Sequence, residues 1–374
     1  MLSAAGKWAR DWAHATYPWT NVYGVARSLL ALASALTLVF SPMSTLFFPV
    51  YGADPASRCQ GVARVTAFCL APSPSHEIVR ALMVVALLVI ASGWRPRWTA
   101  PLHAFIAFSL ANNLSILDGG DQVALDLSLL LLPIALTDRR RWHWDPPAPV
   151  DLPARGSFLE DARRLAATFA WTLVRVQVAA IYFHAAIGKF GVEDWVDGTA
   201  VYYFSTNSLY GASSAVLLVM RPIVESAIGV TVLTWGTLVL EYLLSAALFM
   251  PKRYWRPLLV LGLSLHAGII VVHGLLSFAI TMFGALVLFL RPREASFNFA
   301  WLRMLGRCNR CVRRRTPRGG RGGAGWAVWK GVVQPGALCS FAGSGGGTVT
   351  GPRGSFISSA RRRARVAAQY FGAR

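Results

Sequence analysis

The feature that most constrains this chain is a series of uninterrupted apolar runs, each near the length that crosses a bilayer. A membrane-spanning α-helix needs about 20 apolar residues, within a range of roughly 17–25. Eight runs meet or approach that length: about 24–41, 78–94, 100–117, 122–138, 166–188, 224–249, 257–273 and 276–290. In hydrocarbon every backbone polar group must find a partner inside the protein, which a helix of this length provides. The third and fourth runs are short and flank Asp118-Gly119-Gly120-Asp121; the last two turn at His273-Gly274. Composition enters as a check. Apolar residues make up 55% of the chain and charged residues 14%, against about 25% charged in a soluble domain. Mean hydropathy is +0.46. Too few charges remain to coat a water-facing surface, so a soluble enzyme is excluded. The expected fold is all-α, a polytopic membrane helix bundle of about eight transmembrane helices in the cell membrane, in contact with lipid.

Basic residues set the expected orientation, because cytoplasmic loops are enriched in Lys and Arg. Lys7/Arg10, Arg95/Arg97, Arg139–Arg141 and Lys252/Arg253/Arg256 fall on one side if the runs alternate. Both termini are then expected in the cytoplasm. Three regions follow: a cytoplasmic aromatic and basic arm over 1–23, a transmembrane domain over 24–295, and a basic Gly/Arg-rich tail over 296–374, expected to be mostly disordered. From Arg303 to Arg374 there are fifteen Arg or Lys and no acid, so much of the formal net charge of +20 belongs to the tail. A basic segment beside a bilayer attracts anionic lipid; the alternative is a solvated extension. Nucleic-acid binding is not expected, because no folded module accompanies the charge. No cleavable signal peptide is expected, since the first apolar run follows the aromatic arm without a cleavage site.

Cys59 and Cys69 lie in the first outer loop of this topology, where oxidation is permitted. They read either as a disulfide or as two free thiols. Cys308 and Cys311 form a single C-x-x-C, short of the four ligands that structural zinc takes, and no metal site is expected.

Ionisable side chains inside apolar runs are costly and face the bundle interior. The fifth run carries Arg175, Tyr182 and Lys189 seven residues apart, on one helical stripe, with Gln177 and His184 on a second. Depth along the helices, at 1.5 Å per residue, sets Arg175 near the level of Glu241 in the sixth run and predicts that they pair. Asp126 in the fourth run and His266 in the seventh complete an expected polar layer. Lys189 is one of four lysines in a chain whose other 33 bases are Arg. Placed at the outer end of its run, it reads as a snorkelling interfacial cation or as a partly desolvated amine acting as a base.

The segment His184-x4-Lys189-x5-Trp195-x2-Gly198, with Tyr202-Tyr203 after it, resembles the horizontally transferred transmembrane domain superfamily. Asp118-Gly119-Gly120-Asp121 and His266 support the likeness, and the strong part covers about 25 residues. Within the superfamily the chain looks most like the sporulation-delaying protein B group, and more distantly like vitamin K-dependent gamma-carboxylases. The resemblance implies Lys189 as the catalytic base, with His184 and His266 as neighbouring hydrogen-bonding groups and a quinone as cofactor. It also implies a secreted peptide as substrate and a small accessory protein as partner. The chain departs from the carboxylase branch in carrying a basic, Gly-rich segment after the last apolar run. The leading expectation is a membrane protein acting in maturation or modification of an exported peptide. A quinone-dependent carboxylase-like enzyme is the second, and a noncatalytic immunity or transport protein the third.

Overall fold

The computed structural model describes residues 2–47, 59–115, 118–145, 157–208 and 210–298. The basic tail from residue 299 onward, with Cys308 and Cys311, lies outside the described residues, while Phe297 is bonded to Asn21 of α2. Within them the chain is helical, with no β-strand and one isolated bridge between Trp94 and Trp142. The elements are α1 Leu2–His14, α2 Asn21–Phe40, α3 Met43–Leu46, α4 Ala67–Leu70, α5 His76–Ala91, α6 Pro96–Asn113, α7 Gly119–Leu130 and α8 Leu132–Thr137. After these come α9 Phe158–Lys189, α10 Glu193–Val196, α11 Ala200–Thr206, α12 Ser214–Val224, α13 Ala227–Ala246, α14 Trp255–His273 and α15 Leu276–Leu290.

Seven of the eight apolar runs form one helix each, and the 122–138 run forms two, α7 and α8. Five segments are long and apolar enough to cross a membrane: Asn21–Phe40, Gly119–Thr137, Phe158–Lys189, Ala227–Ala246 and Lys252–His273. The other three runs are shorter or more polar. α5 has 16 residues and α15 has 15, while the 18 residues of α6 include Arg97, His103, Asn112 and Asn113.

The outer surface of the helices is apolar at helical spacing. Ile78, Leu82, Val85 and Val89 are exposed along α5; Phe169, Leu173, Val176, Phe183 and Ile187 along α9; Ile228, Val232, Val239 and Tyr242 along α13. Spacings of three and four residues put each set on one face. In water such stripes would face a core; here they face outward, as lipid requires. This is a membrane protein.

Small residues bring the inner faces together. Packing, rather than water exclusion, drives helix association in lipid, and it is tightest where side chains are small. A Cβ on Gly284 of α15 would stand 3.2 Å from the Ala26 carbonyl oxygen of α2, and one on Gly262 of α14 would stand 3.0 Å from Leu286. The core runs through Leu30, Trp171, Val174, Val178, Leu244, Leu286 and Phe289.

The two ends of the bundle are closed differently. At one end Cys59 and Cys69 are joined in a disulfide, beside a second apolar cluster of Leu38, Phe68, Leu87 and Leu110. At the other end a buried polar knot fixes the 138–145 segment. The Arg140 guanidinium forks onto Asp138, at 3.0 Å from Nε and 2.8 Å from Nη2, and Asp138 also accepts from the Tyr23 hydroxyl. Burial comes first, with Arg27 and Arg140 nearby, in holding the His143 imidazole well below its ordinary pKa. Its ring fills space that only glycines leave open, since a Cβ on Gly93 would fall 2.4 Å from it and one on Gly24 2.9 Å. The aromatic arm belongs to this end: α1 is tied to α9 by Arg10 and His14 on Asp161. Trp19 is buried and donates to Thr137 Oγ1 at 2.9 Å.

Candidate functional site

The polar stripe of α9 meets two helices in three successive contacts. Arg175 lies over the Trp255 ring of α14, 4.0 Å from its centroid. Tyr182 Oη and His266 Nε2, also on α14, are 2.9 Å apart and buried. Lys189 Nζ donates to both Glu241 oxygens of α13, at 2.7 and 2.8 Å, and to the Ala185 carbonyl at 3.1 Å. Seven-residue spacing puts all three side chains on one face, and that face is the one covered by α13 and α14.

The expected pairing of Arg175 with Glu241 is therefore replaced by another. Glu241 takes Lys189, and Arg175 stacks on an aromatic ring, with its Nε and Nη2 buried and unbonded. Helix length is the reason. α9 has 32 residues and starts at Phe158 rather than near 166, so depths counted from the expected start are wrong by two turns. In addition, α10, α11 and α12 precede α13, so α13 begins well beyond the end of α9. Glu241 stands fourteen residues into α13, about 21 Å from its start. Lys189 accordingly sits beside the body of α13, not at the rim. Its side chain is 21% exposed and that of Glu241 11%.

A cavity of about 560 Å³ opens onto this pair, lined by Lys189, Glu241, His266 and Trp195 with apolar groups such as Phe204 and Phe278. Trp195 lies under the ammonium, 5.1 Å from ring centroid to Nζ, a contact that favours a desolvated cation. Gly198 sets the chain path here. It has φ +85°, and a Cβ would stand 3.1 Å from Thr231 and 3.3 Å from Trp235 on α13. The turn thus lies flat on α13 and carries α11 over the cavity, where the Val201 N–H donates to Thr234 Oγ1 at 3.2 Å. Phe278 packs on His266, ring centroids 5.5 Å apart.

Not every expected residue comes to this place. His184 is exposed and touches only Phe183 among the described ring contacts. Five residues from Lys189 is about 140° around a helix, so the two side chains cannot share a cavity. Asp126 accepts from Gln177 at 2.9 Å, which joins α7 to α9 away from the lysine. Among the described residues no cluster of His, Cys, Asp or Glu is suited to hold a metal ion. The sequence reading passed over Arg27, which is buried in α2 and donates to Thr99 Oγ1 at 2.7 Å. An ionisable residue near the start of an apolar run was the available signal.

Chemically, the ammonium of Lys189 uses its three donors on Glu241 and Ala185, so the site is an ion pair of an amine and a carboxylate facing an apolar cavity. His266 keeps Nδ1 buried and unbonded.

Two curated proteins of Bacillus subtilis (strain 168) are similar to this chain. One is the uncharacterized protein YitO, 38% identical over 290 residues, which cover 77% of this chain and 91% of that protein. The other is sporulation-delaying protein SdpB, 35% identical over 286 residues, covering 76% of this chain and 85% of that protein. The chain belongs to the SdpB family. No family model matches it, and no solved structure does. As an SdpB-type membrane protein it shares with these relatives a stretch about as long as its described helical domain, which holds the Lys189 cavity.

Proposed function

We propose that this protein is an eight-span cell-membrane protein, with both termini cytoplasmic, that acts in maturation or modification of an exported peptide through the Lys189–Glu241 pair. The observation that carries this reading is the ion pair lining an apolar cavity, roofed by a Trp-bearing turn and backed by a buried histidine. SdpB is named for delaying sporulation, and the resemblance of the lysine segment implies maturation of a secreted peptide toxin. The disulfide supports placing the Cys59–Cys69 loop outside the cytoplasm, where such bonds persist. With that loop outside, alternate crossings put the basic 139–141 and 252–256 segments inside.

In this reading Nζ passes a proton to the Glu241 carboxylate, leaving a neutral amine beside a neutral acid. The amine then takes a proton from the substrate and becomes the ammonium again, and Glu241 gives its proton to the product anion, which restores the starting ion pair. Excluding water strengthens each of these interactions. His266, held by Tyr182, orients the substrate's polar group.

A second reading rests on the lining. Phe204, Phe278 and aliphatic walls surround a few polar atoms at Lys189, Glu241 and His266, a set that fits a quinone ring on an apolar tail. When bound, such a group would supply redox chemistry to a carboxylase-like reaction, with Lys189 and His266 holding its oxygens.

The test is Lys189→Ala and Lys189→Arg in the host cell, with the exported peptide followed by mass spectrometry and the membrane protein by immunoblot. Loss of the mature peptide mass at normal protein level is expected for Lys189→Ala. Normal maturation would assign the chain a noncatalytic role, such as immunity or transport.

A further inference from the structure

At the disulfide end lies a second cavity, of about 430 Å³, separate from the lysine pair. It is bounded by the end of α2, the 274–277 turn between α14 and α15, and the start of α7. Its apolar walls include Leu36, Phe40 and Leu276, and two carboxylates, Asp118 and Asp121, line it. The two acids differ in their bonding. Asp118 caps α7, its Oδ1 accepting the Asp121 N–H at 2.9 Å. Asp121 is 93% buried, from a relative exposure of 7%, and among the described residues no hydrogen bond or ion pair reaches its carboxylate. The chain is forced into this place: a Cβ on Gly120 would fall 2.8 Å from Phe278 Cα, so the turn is pressed against α15 with Asp121 directed into the cavity.

A buried carboxylate without a partner is costly, and a second acid lining the same space adds like-charge repulsion. Asp121 lies in the first turn of α7, whose N-terminus offsets part of the charge; for the remainder, either a cation completes the site or the acid holds its proton. A hard divalent ion is a poor candidate, because it takes six or more oxygen ligands and these walls are largely hydrocarbon. A cation carried on an apolar chain satisfies both features at once.

We propose that this cavity binds an ammonium or guanidinium group on an apolar chain, the chemistry of a basic peptide side chain, with Asp121 as its counter-ion and Asp118 as a weaker contributor. The site stands whether or not the lysine pair transfers protons.

The experiment uses the full-length chain in detergent micelles. Dicyclohexylcarbodiimide attacks carboxyl groups in apolar surroundings, and its adduct on Asp121 is quantified by peptide mass. The probe is hexylguanidinium, with hexanol and Mg²⁺ as controls. Occupancy slows labelling by 1 + [L]/Kd, so protection by about fivefold is expected once the probe exceeds Kd by roughly fourfold. Hexanol and Mg²⁺ should leave labelling unchanged. Asp118→Asn should weaken the protection, and Asp121→Asn should abolish the rise in thermal midpoint that the probe gives the native chain. Equal protection by hexanol would mean that the cavity holds only an apolar chain, and equal protection by Mg²⁺ that it holds a metal ion; either overturns the proposal. So would an unchanged midpoint rise in Asp121→Asn. If that variant fails to fold, the labelling of the native chain still decides.

Discussion

Replacing Glu241 with Gln leaves the Lys189 ammonium in an apolar cavity without its counter-charge, with the neutral amide oxygen and the Ala185 carbonyl as acceptors. Breaking a buried pair by removing one partner costs about 3–5 kcal/mol, because the other charge stays uncompensated. The side chains here are 21% and 11% exposed, so the lower half of that range applies, about 3–4 kcal/mol. At roughly 2 °C per kcal/mol for a large domain, the midpoint should fall by about 6–8 °C. Lys189→Met should cost a similar amount, since it leaves the carboxylate alone. The double variant Lys189→Met/Glu241→Gln removes both charges and should recover most of the loss. With each single variant costing about 3–4 kcal/mol and the double about 1–2 kcal/mol, the coupling energy from the four proteins should be about 4–7 kcal/mol. The assay is reversible denaturation in mixed micelles, followed by tryptophan fluorescence. A coupling energy below about 0.5 kcal/mol, the level expected of independent sites, would refute the reasoning: the pair would be no more than a solvated contact.

Gly93→Ala should prevent stable expression, because the residue holds φ +85° and a Cβ would fall 2.4 Å from the His143 ring; a normal gel-filtration profile and midpoint would contradict this. Cys59→Ser should lower stability by about 2–3 kcal/mol, the loop-closure value for cysteines ten residues apart, with protease nicking between 59 and 69 as the local readout. His143 supplies a pH dependence. Its folded pKa lies well below the ordinary 6.5, chiefly through burial. The unfolded chain therefore binds a proton that the folded chain refuses as pH drops below 6.5. Stability is intact above that pH and falls below it, by up to about 1.4 kcal/mol per pH unit. His143→Asn should reduce the slope between pH 6.5 and 5 by up to about 1.4 kcal/mol per pH unit; an unchanged slope would reassign it to other groups.

The helices were legible because their cause is local. A run of about 20 apolar residues has one way to satisfy its backbone in lipid, and all eight expected runs form helices. The stripe of Arg175, Tyr182 and Lys189 was legible for the same reason, since helical periodicity alone fixes which side chains share a face. His184 shows the limit of that logic: sharing a segment with Lys189, and a face with Gln177, did not bring it to the cavity. It lies on the exposed side of α9, away from the face that α13 and α14 cover.

Partner choice lay beyond the sequence. Glu241 was matched to Arg175 by depth, and the match failed because depth depends on where each helix begins. Two extra turns at the front of α9 and three short helices before α13 shift the two scales against each other, and only packing reveals such an offset. By itself the sequence determined that this protein lives in a membrane as a bundle of helices, and which helix face holds its costly charges. The tertiary structure decided which charge meets which, and that a lysine placed at the rim by counting lies beneath a roof. The physical reason is range. Backbone hydrogen bonding and side-chain periodicity act within one helix turn, whereas an ion pair between α9 and α13 depends on the register of helices that are fixed by contacts far apart in the chain.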